Sequence, residues 1–91
     1  MAVLLLTYDL NREPDKTNYE GFYKVRDDYD YVKLSESSYA LNTLETPAQV
    51  YARLEPHMDT NDSVYVINLK RPYSGVGLKD VNDWLQRNLP S

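Results

Sequence analysis

Asp9 is the residue whose type and place most invite chemistry. It follows the apolar run Ala2-Val3-Leu4-Leu5-Leu6 and then Thr7-Tyr8, so its carboxylate stands at the carboxyl end of what reads as a buried strand. Open sheets commonly present functional groups at that position, on loops held by a rigid scaffold. The structural alternative is that Asp9 bonds to the backbone amide of Asn11 or Arg12 and simply caps the turn. A second cluster is Leu34-Ser35-Glu36-Ser37-Ser38-Tyr39. Three hydroxyls and a carboxylate at a strand turn can contact phosphate oxygens, or can satisfy backbone groups at a bulge.

Other chemistries are disfavoured. There is one histidine, His57, and no cysteine. A zinc site or a histidine-based nucleophilic triad would therefore need groups from another chain. His57 follows Pro56 on a polar helix end and reads as a surface residue. Gly75-Val76-Gly77 lacks the third glycine and the strand-to-helix setting of a dinucleotide loop. It reads as a hinge.

These residues must be positioned by elements that the patterning predicts. Val3 to Tyr8 is a continuous apolar run, expected of a central strand covered on both faces. Asp9 to Lys16 is polar and contains Pro14, so it reads as a loop. Thr17 and Glu20 have capping-box spacing and open a helix that carries Tyr19, Phe22, Tyr23 and Arg26 on one face. Gly21 within it suggests a close approach to the sheet, and Asp27-Asp28-Tyr29-Asp30 ends it. Tyr31 to Leu34 and Ser38 to Asn42 are short strands joined by a turn at Ser35-Glu36-Ser37, or else the whole stretch is one long bent strand with a bulge. Thr46-Pro47-Ala48-Gln49 starts a second helix, with a cap residue, proline at its first position and glutamine closing the box. Its apolar stripe is Val50, Tyr51, Leu54 and Met58, and Pro56 should end it. Ser63 to Leu69 is a strand rich in β-branched residues. Pro72 to Gly77 is a loop. Leu78, Val81, Trp84, Leu85 and Leu89 then recur at helical spacing.

The resulting order is that of an α+β protein, the split βαβ or ferredoxin-like βαββαβ arrangement, with two helices packed on an antiparallel sheet and a C-terminal helix. With 91 residues the length suits one domain. It divides into a core at 1–70, a loop at 71–77 and a helix at 78–89. Three strands are apolar enough that the second sheet face should be covered, by the Trp84 helix or by a second subunit.

The net charge is −4, which opposes clamping of nucleic acid through bulk electrostatics. Nine tyrosines suit half-buried sheet faces and interfaces, where the ring packs and the hydroxyl stays wet. Residues 2–6 are too few to span a bilayer and lack a basic leader, so no membrane partner and a cytoplasmic location are expected.

Leu4-Leu5-Leu6-Thr7-Tyr8-Asp9-Leu10 resembles the opening strand of the CRISPR-associated Cas-two family and of VapD-type ribonucleases, an aliphatic strand ending in Tyr-Asp-Ile or Tyr-Asp-Leu. Ser38-Tyr39 is similar to the serine-aromatic pair of their second strand. Leu34-Ser35-Glu36-Ser37-Ser38-Tyr39-Ala40 and Val81-Asn82-Asp83-Trp84-Leu85 resemble segments of small bacterial and phage proteins labelled SinR-like. The resemblance implies a ferredoxin-like homodimer in which the Asp9 carboxylates of two copies face each other and hold Mg²⁺. That ion commonly takes one or two carboxylates and fills its shell with water and phosphate oxygens. A bound metal would activate water for attack on RNA or DNA. Tyr8, Arg12, Ser35, Ser37 and Ser38 would contact substrate. The same fold also serves non-catalytic modules that bind a protein partner, and small-ligand regulatory domains.

Overall fold

The apolar opening run forms an interior strand, and the rest of the fold is arranged about it. The computed structural model describes residues 2–11 and 19–91. Its elements are β1 (Ala2–Asp9), α1 (Glu20–Asp27), β2 (Asp30–Ser35), β3 (Ser38–Thr43), α2 (Pro47–Leu54), a 3-10 turn (Glu55–His57), β4 (Ser63–Leu69) and α3 (Lys79–Asn88). The four strands make one antiparallel sheet in the order β2-β3-β1-β4. This is an α+β fold with three α-helices among the described residues. Among the described residues no helix is long and apolar enough to cross a membrane.

Strand alternation sends successive β1 side chains to opposite faces. Leu4, Leu6 and Tyr8 pack inward with Tyr39 and Leu41 of β3, under Phe22 of α1 and Val50 and Leu54 of α2. Val3 points to the outer face, where it meets Ala40 of β3 and Trp84 and Leu89 of α3. The full burial of Phe22 alone stabilises the fold by about 1.5–3 kcal/mol. The Trp84 helix thus does cover the outer face, but only at the Val3 end of the sheet.

Local signals explain most boundaries. Thr46 accepts a hydrogen bond from the Gln49 amide at 3.2 Å, and Gln49 Oε1 accepts from the Thr46 amide at 2.8 Å, completing the capping box ahead of α2. Pro56 turns the chain into the 3-10 segment after Leu54. β2 and β3 are two strands joined by a tight turn at Glu36-Ser37, not one bent strand, and a register shift falls within β2 between Lys33 and Ser35. The proposed capping box at Thr17 lies outside the described residues.

Two expectations are corrected. Gly21 approaches His57, not the sheet: a Cβ there would lie 2.2 Å from His57 Nδ1. The glycine therefore admits the exposed imidazole against α1. Leu78 does not join the α3 stripe. It precedes the helix and is exposed, because the chain is still extended there and has not turned toward the sheet.

A polar latch joins the end of α1 to α2. Tyr29 donates its hydroxyl proton to Glu45 Oε1 at 2.6 Å and accepts from Arg53 Nη1 at 2.8 Å. The Arg53 guanidinium also lies over the Tyr29 ring, 4.9 Å from its centroid, and reaches Asp28 at 3.1 Å. Partial burial, followed by the bond to Glu45, pushes the Tyr29 phenol from its ordinary value up to about 12, while Arg53 pulls the other way. The folded state therefore holds this proton more tightly than the unfolded chain does. The stabilisation is complete below the ordinary tyrosine value of about 10 and is lost as pH rises through about 12. In urea titrations across that window, Tyr29→Phe should show a shallower loss of stability than the unmodified chain. Parallel curves would show that the latch does not contribute.

Candidate functional site

The turn after β1 separates two neighbours completely. Tyr8 enters the core and is 5% exposed, while Asp9 lies on the outer face and is exposed. The period of two in a strand dictates this, so the two residues expected to act together do not share a surface.

On the outer face, beyond the part covered by α3, the sheet presents Leu5, Thr7 and Asp9 of β1. Beside them stand their partners on β4: Ile67 opposite Leu5, Tyr65 opposite Thr7, and Ser63 opposite Asp9. Tyr65 is 65% exposed and Ile67 49%. On the other side, Ser38 lies opposite Thr7, and the two hydroxyls share a hydrogen bond of 3.0 Å. Among the described residues the Asp9 carboxylate has no hydrogen-bond partner. This half of the face is a short apolar platform edged by hydroxyls and one carboxylate.

The serine cluster is divided by the hairpin. Ser35 is exposed and pairs with Ser38 across the turn. Ser37 meets β1 through its backbone, its carbonyl accepting the Tyr8 amide at 3.0 Å. The serines therefore gather near the Asp9 end of the sheet, with the Ser38 hydroxyl already bonded to Thr7. Arg12 lies outside the described residues.

The inner side of the same end holds an arrangement that sequence reading missed. Arg26 of α1 lies between two rings, 4.7 Å from the Tyr23 centroid and 4.4 Å from that of Tyr39. Its Nη1 donates to the Tyr8 hydroxyl at 2.9 Å, and its Nε to Asp27 at 2.9 Å. Burial works against the charge, but the bonds to Asp27 and Tyr8 outweigh it and raise the affinity of the guanidinium for its proton. Tyr8 in turn donates to the Glu36 carbonyl at 3.4 Å, and its ring stacks on Tyr39. Arg26 thereby ties α1 to β1 and to the hairpin. Its place on the aromatic face of α1 was the only sequence signal.

Asp62 serves as the loop cap first considered for Asp9. Its carboxylate accepts the Asn11 amide at 2.6 Å, the Asp59 amide at 2.7 Å and the Tyr19 hydroxyl at 2.9 Å. Three segments distant in sequence meet there: the exit of β1, the start of α1 and the entry to β4. The Asn11 amide is thus taken by Asp62 and not by Asp9, while the alternative cap at the Arg12 amide lies outside the described residues.

A magnesium ion needs few protein ligands, and the exposed Asp9 carboxylate fits the role of one. Among the described residues no three histidine, cysteine or acidic side chains are grouped to hold a metal. A separate open cleft of about 460 Å³ lies between the β2 edge and α3, lined by Leu34, Leu78, Val81 and Leu85 among others. It is remote in character from the Asp9 platform, being apolar and without an acid. Compared with known proteins, the chain matches no family model, no curated protein and no solved structure.

Proposed function

We propose that this chain is a ferredoxin-like, Cas-two-like module of the cytoplasm that works as a non-catalytic interaction scaffold through the uncovered half of its outer sheet face. The observation that carries this reading is the exposure of Tyr65 and Ile67 beside Leu5 on that platform. A large aromatic and a β-branched side chain set side by side in solvent are the anchor types that bind protein partners. The strand order β2-β3-β1-β4 with antiparallel neighbours supports the ferredoxin-like description. The net charge of −4 supports a protein partner over a nucleic-acid backbone.

The second reading is a homodimeric nuclease acting on RNA or DNA, favoured by the exposed Asp9 carboxylate, which has no hydrogen-bond partner among the described residues. Asp9 would hold Mg²⁺, which would supply an activated water and charge stabilisation. Ser35, Ser37 and the Thr7–Ser38 pair would line the approach of the phosphodiester, with Tyr8 restricted to supporting them from below.

The two readings separate on one assay. Single- and double-stranded RNA and DNA are incubated with the purified chain, with Mg²⁺ or with chelator, beside Asp9→Asn. The scaffold reading expects identical traces for both proteins in every condition. Metal-dependent cleavage that disappears in Asp9→Asn would replace it with the nuclease.

A further inference from the structure

The two edges of the sheet differ in how they are guarded. The β2 edge carries Asp30 and Lys33 and a register shift, devices that discourage pairing with another chain. The β4 edge has none of them. Ser63 to Leu69 contains no charge and no proline, and pairs with β1 without a break from Asp9↔Ser63 to Val3↔Leu69. No described strand pairs its outer side. A seven-residue uncharged edge that no described strand pairs is a template for further strand addition.

We propose that β4 pairs antiparallel with β4 of a second copy of this chain, about a twofold axis at Val66, joining two sheets into one of eight strands. The residue order around β4 is self-complementary in that register. With Val66 opposite the partner's Val66, Tyr65 falls opposite the partner's Ile67, an aromatic and β-branched pair that stabilises adjacent strands. Asp62, immediately before β4, falls opposite the partner's Lys70, immediately after it, so each end of the seam has an opposite-charge pair. Asp62 is already fixed by its bonds to Asn11, Asp59 and Tyr19, while Lys70 is exposed on a flexible stem. A slip of two residues either way loses both charge pairs. A slip of one would set the inner face of one copy beside the outer face of the other.

The pairing extends the scaffold reading by naming one partner, and it rests on that reading only for the use of the joined face. Tyr65 and Ile67 of both copies would form one continuous platform. Strand spacing and rise put the two Asp9 positions roughly 25 Å apart, on opposite sides of the axis. In this dimer they cannot share an ion.

The chain has no cysteine, so a single introduced thiol reports on one contact. Val66→Cys should convert almost wholly to a disulfide-linked dimer under mild oxidation. Tyr65→Cys mixed with Ile67→Cys should give the cross-linked pair, and Thr7→Cys should stay monomeric on denaturing gels. Sedimentation equilibrium of the unmodified chain should show a dimer, lost in the Tyr65→Lys/Ile67→Lys double variant, whose circular dichroism should be unchanged because both side chains are exposed. A chain that stays monomeric up to high micromolar concentration overturns the proposal. So does a dimer that survives the two lysines, or one that links through Thr7→Cys and not through Val66→Cys. Failure here is separable from failure of the scaffold reading, since the nuclease assay with Asp9→Asn depends on neither cross-linking nor sedimentation.

Discussion

Trp84→Ala should destabilise the protein by about 3–5 kcal/mol, the range for removing a large buried aromatic. Trp84 is 7% exposed and, with Leu89, rests on Val3 and Ala40. Its indole Nε1–H points at Asp30 Oδ1 from 3.5 Å, and its carbonyl accepts from Asn88 Nδ2 at 2.8 Å. A helix of ten residues is marginal in water without tertiary packing. α3 should therefore loosen as a unit when its main anchor is removed. Other tethers would remain, Asn42 to Asn88 at 2.9 Å and Arg71, whose amide donates to the Pro90 carbonyl at 2.7 Å, its Nε to that of Leu89 at 3.0 Å, and its guanidinium to that of Gln86. Urea denaturation measures the total loss. Amide exchange locates it, with residues 79–88 expected to lose protection before β1. A loss under about 1 kcal/mol, with α3 still protected, would show that Trp84 is not the anchor. The variant also bears on function, because an unseated α3 would uncover the other half of the outer face and enlarge the apolar platform.

The second large effect is expected at Arg26. Arg26→Met keeps much of the apolar stem but removes the charge that lies between Tyr23 and Tyr39 and bonds to Tyr8. Two cation–π contacts at a largely desolvated site and one hydrogen bond to a buried phenol sum to about 2–4 kcal/mol. The side chain is only 14% exposed, so solvent screening takes little from these contacts. Arg26→Lys should recover only a small part, since an ammonium cannot lie flat between two rings while donating sideways. A double-mutant cycle with Tyr8→Phe tests the bond itself. A coupling near zero would mean that Arg26 acts on the rings alone. Neither variant touches Asp9, so neither should change a metal-dependent activity except through the folded fraction.

Much of the architecture was legible in the sequence because it depends on local rules. The unbroken run Ala2–Leu6 demanded a strand covered on both sides, and β1 is the interior strand with a core on each face. Thr46 to Gln49 specified its own helix start through bonds spanning three residues. Ser63 to Leu69 has the bounds that its β-branched content predicted. Of the two covers expected for the second face, the Trp84 helix supplies one, at the Val3 end of the sheet alone.

What escaped the sequence was contact between distant segments. Asp62 stands in a polar stretch between a helix and a strand, and nothing local shows that Asn11 and Tyr19 converge on it, 51 and 43 residues away. Arg26 was one more member of a helix face until Tyr39 and Tyr8 closed around it. Gly21 announced a close approach, but not that His57 would make it. Tyr65 and Ile67 were simply good strand formers, since burial on a strand is decided by which neighbours arrive, not by propensity.

Asp9 shows the same division. Its place at the end of β1 follows from composition and order alone. Its exposure on the outer face, its separation from Tyr8 and the loss of the Asn11 amide to Asp62 were decided by tertiary structure. Alternation sets the faces, α3 covers only one end of the sheet, and Asp62 supplies the cap from another part of the chain.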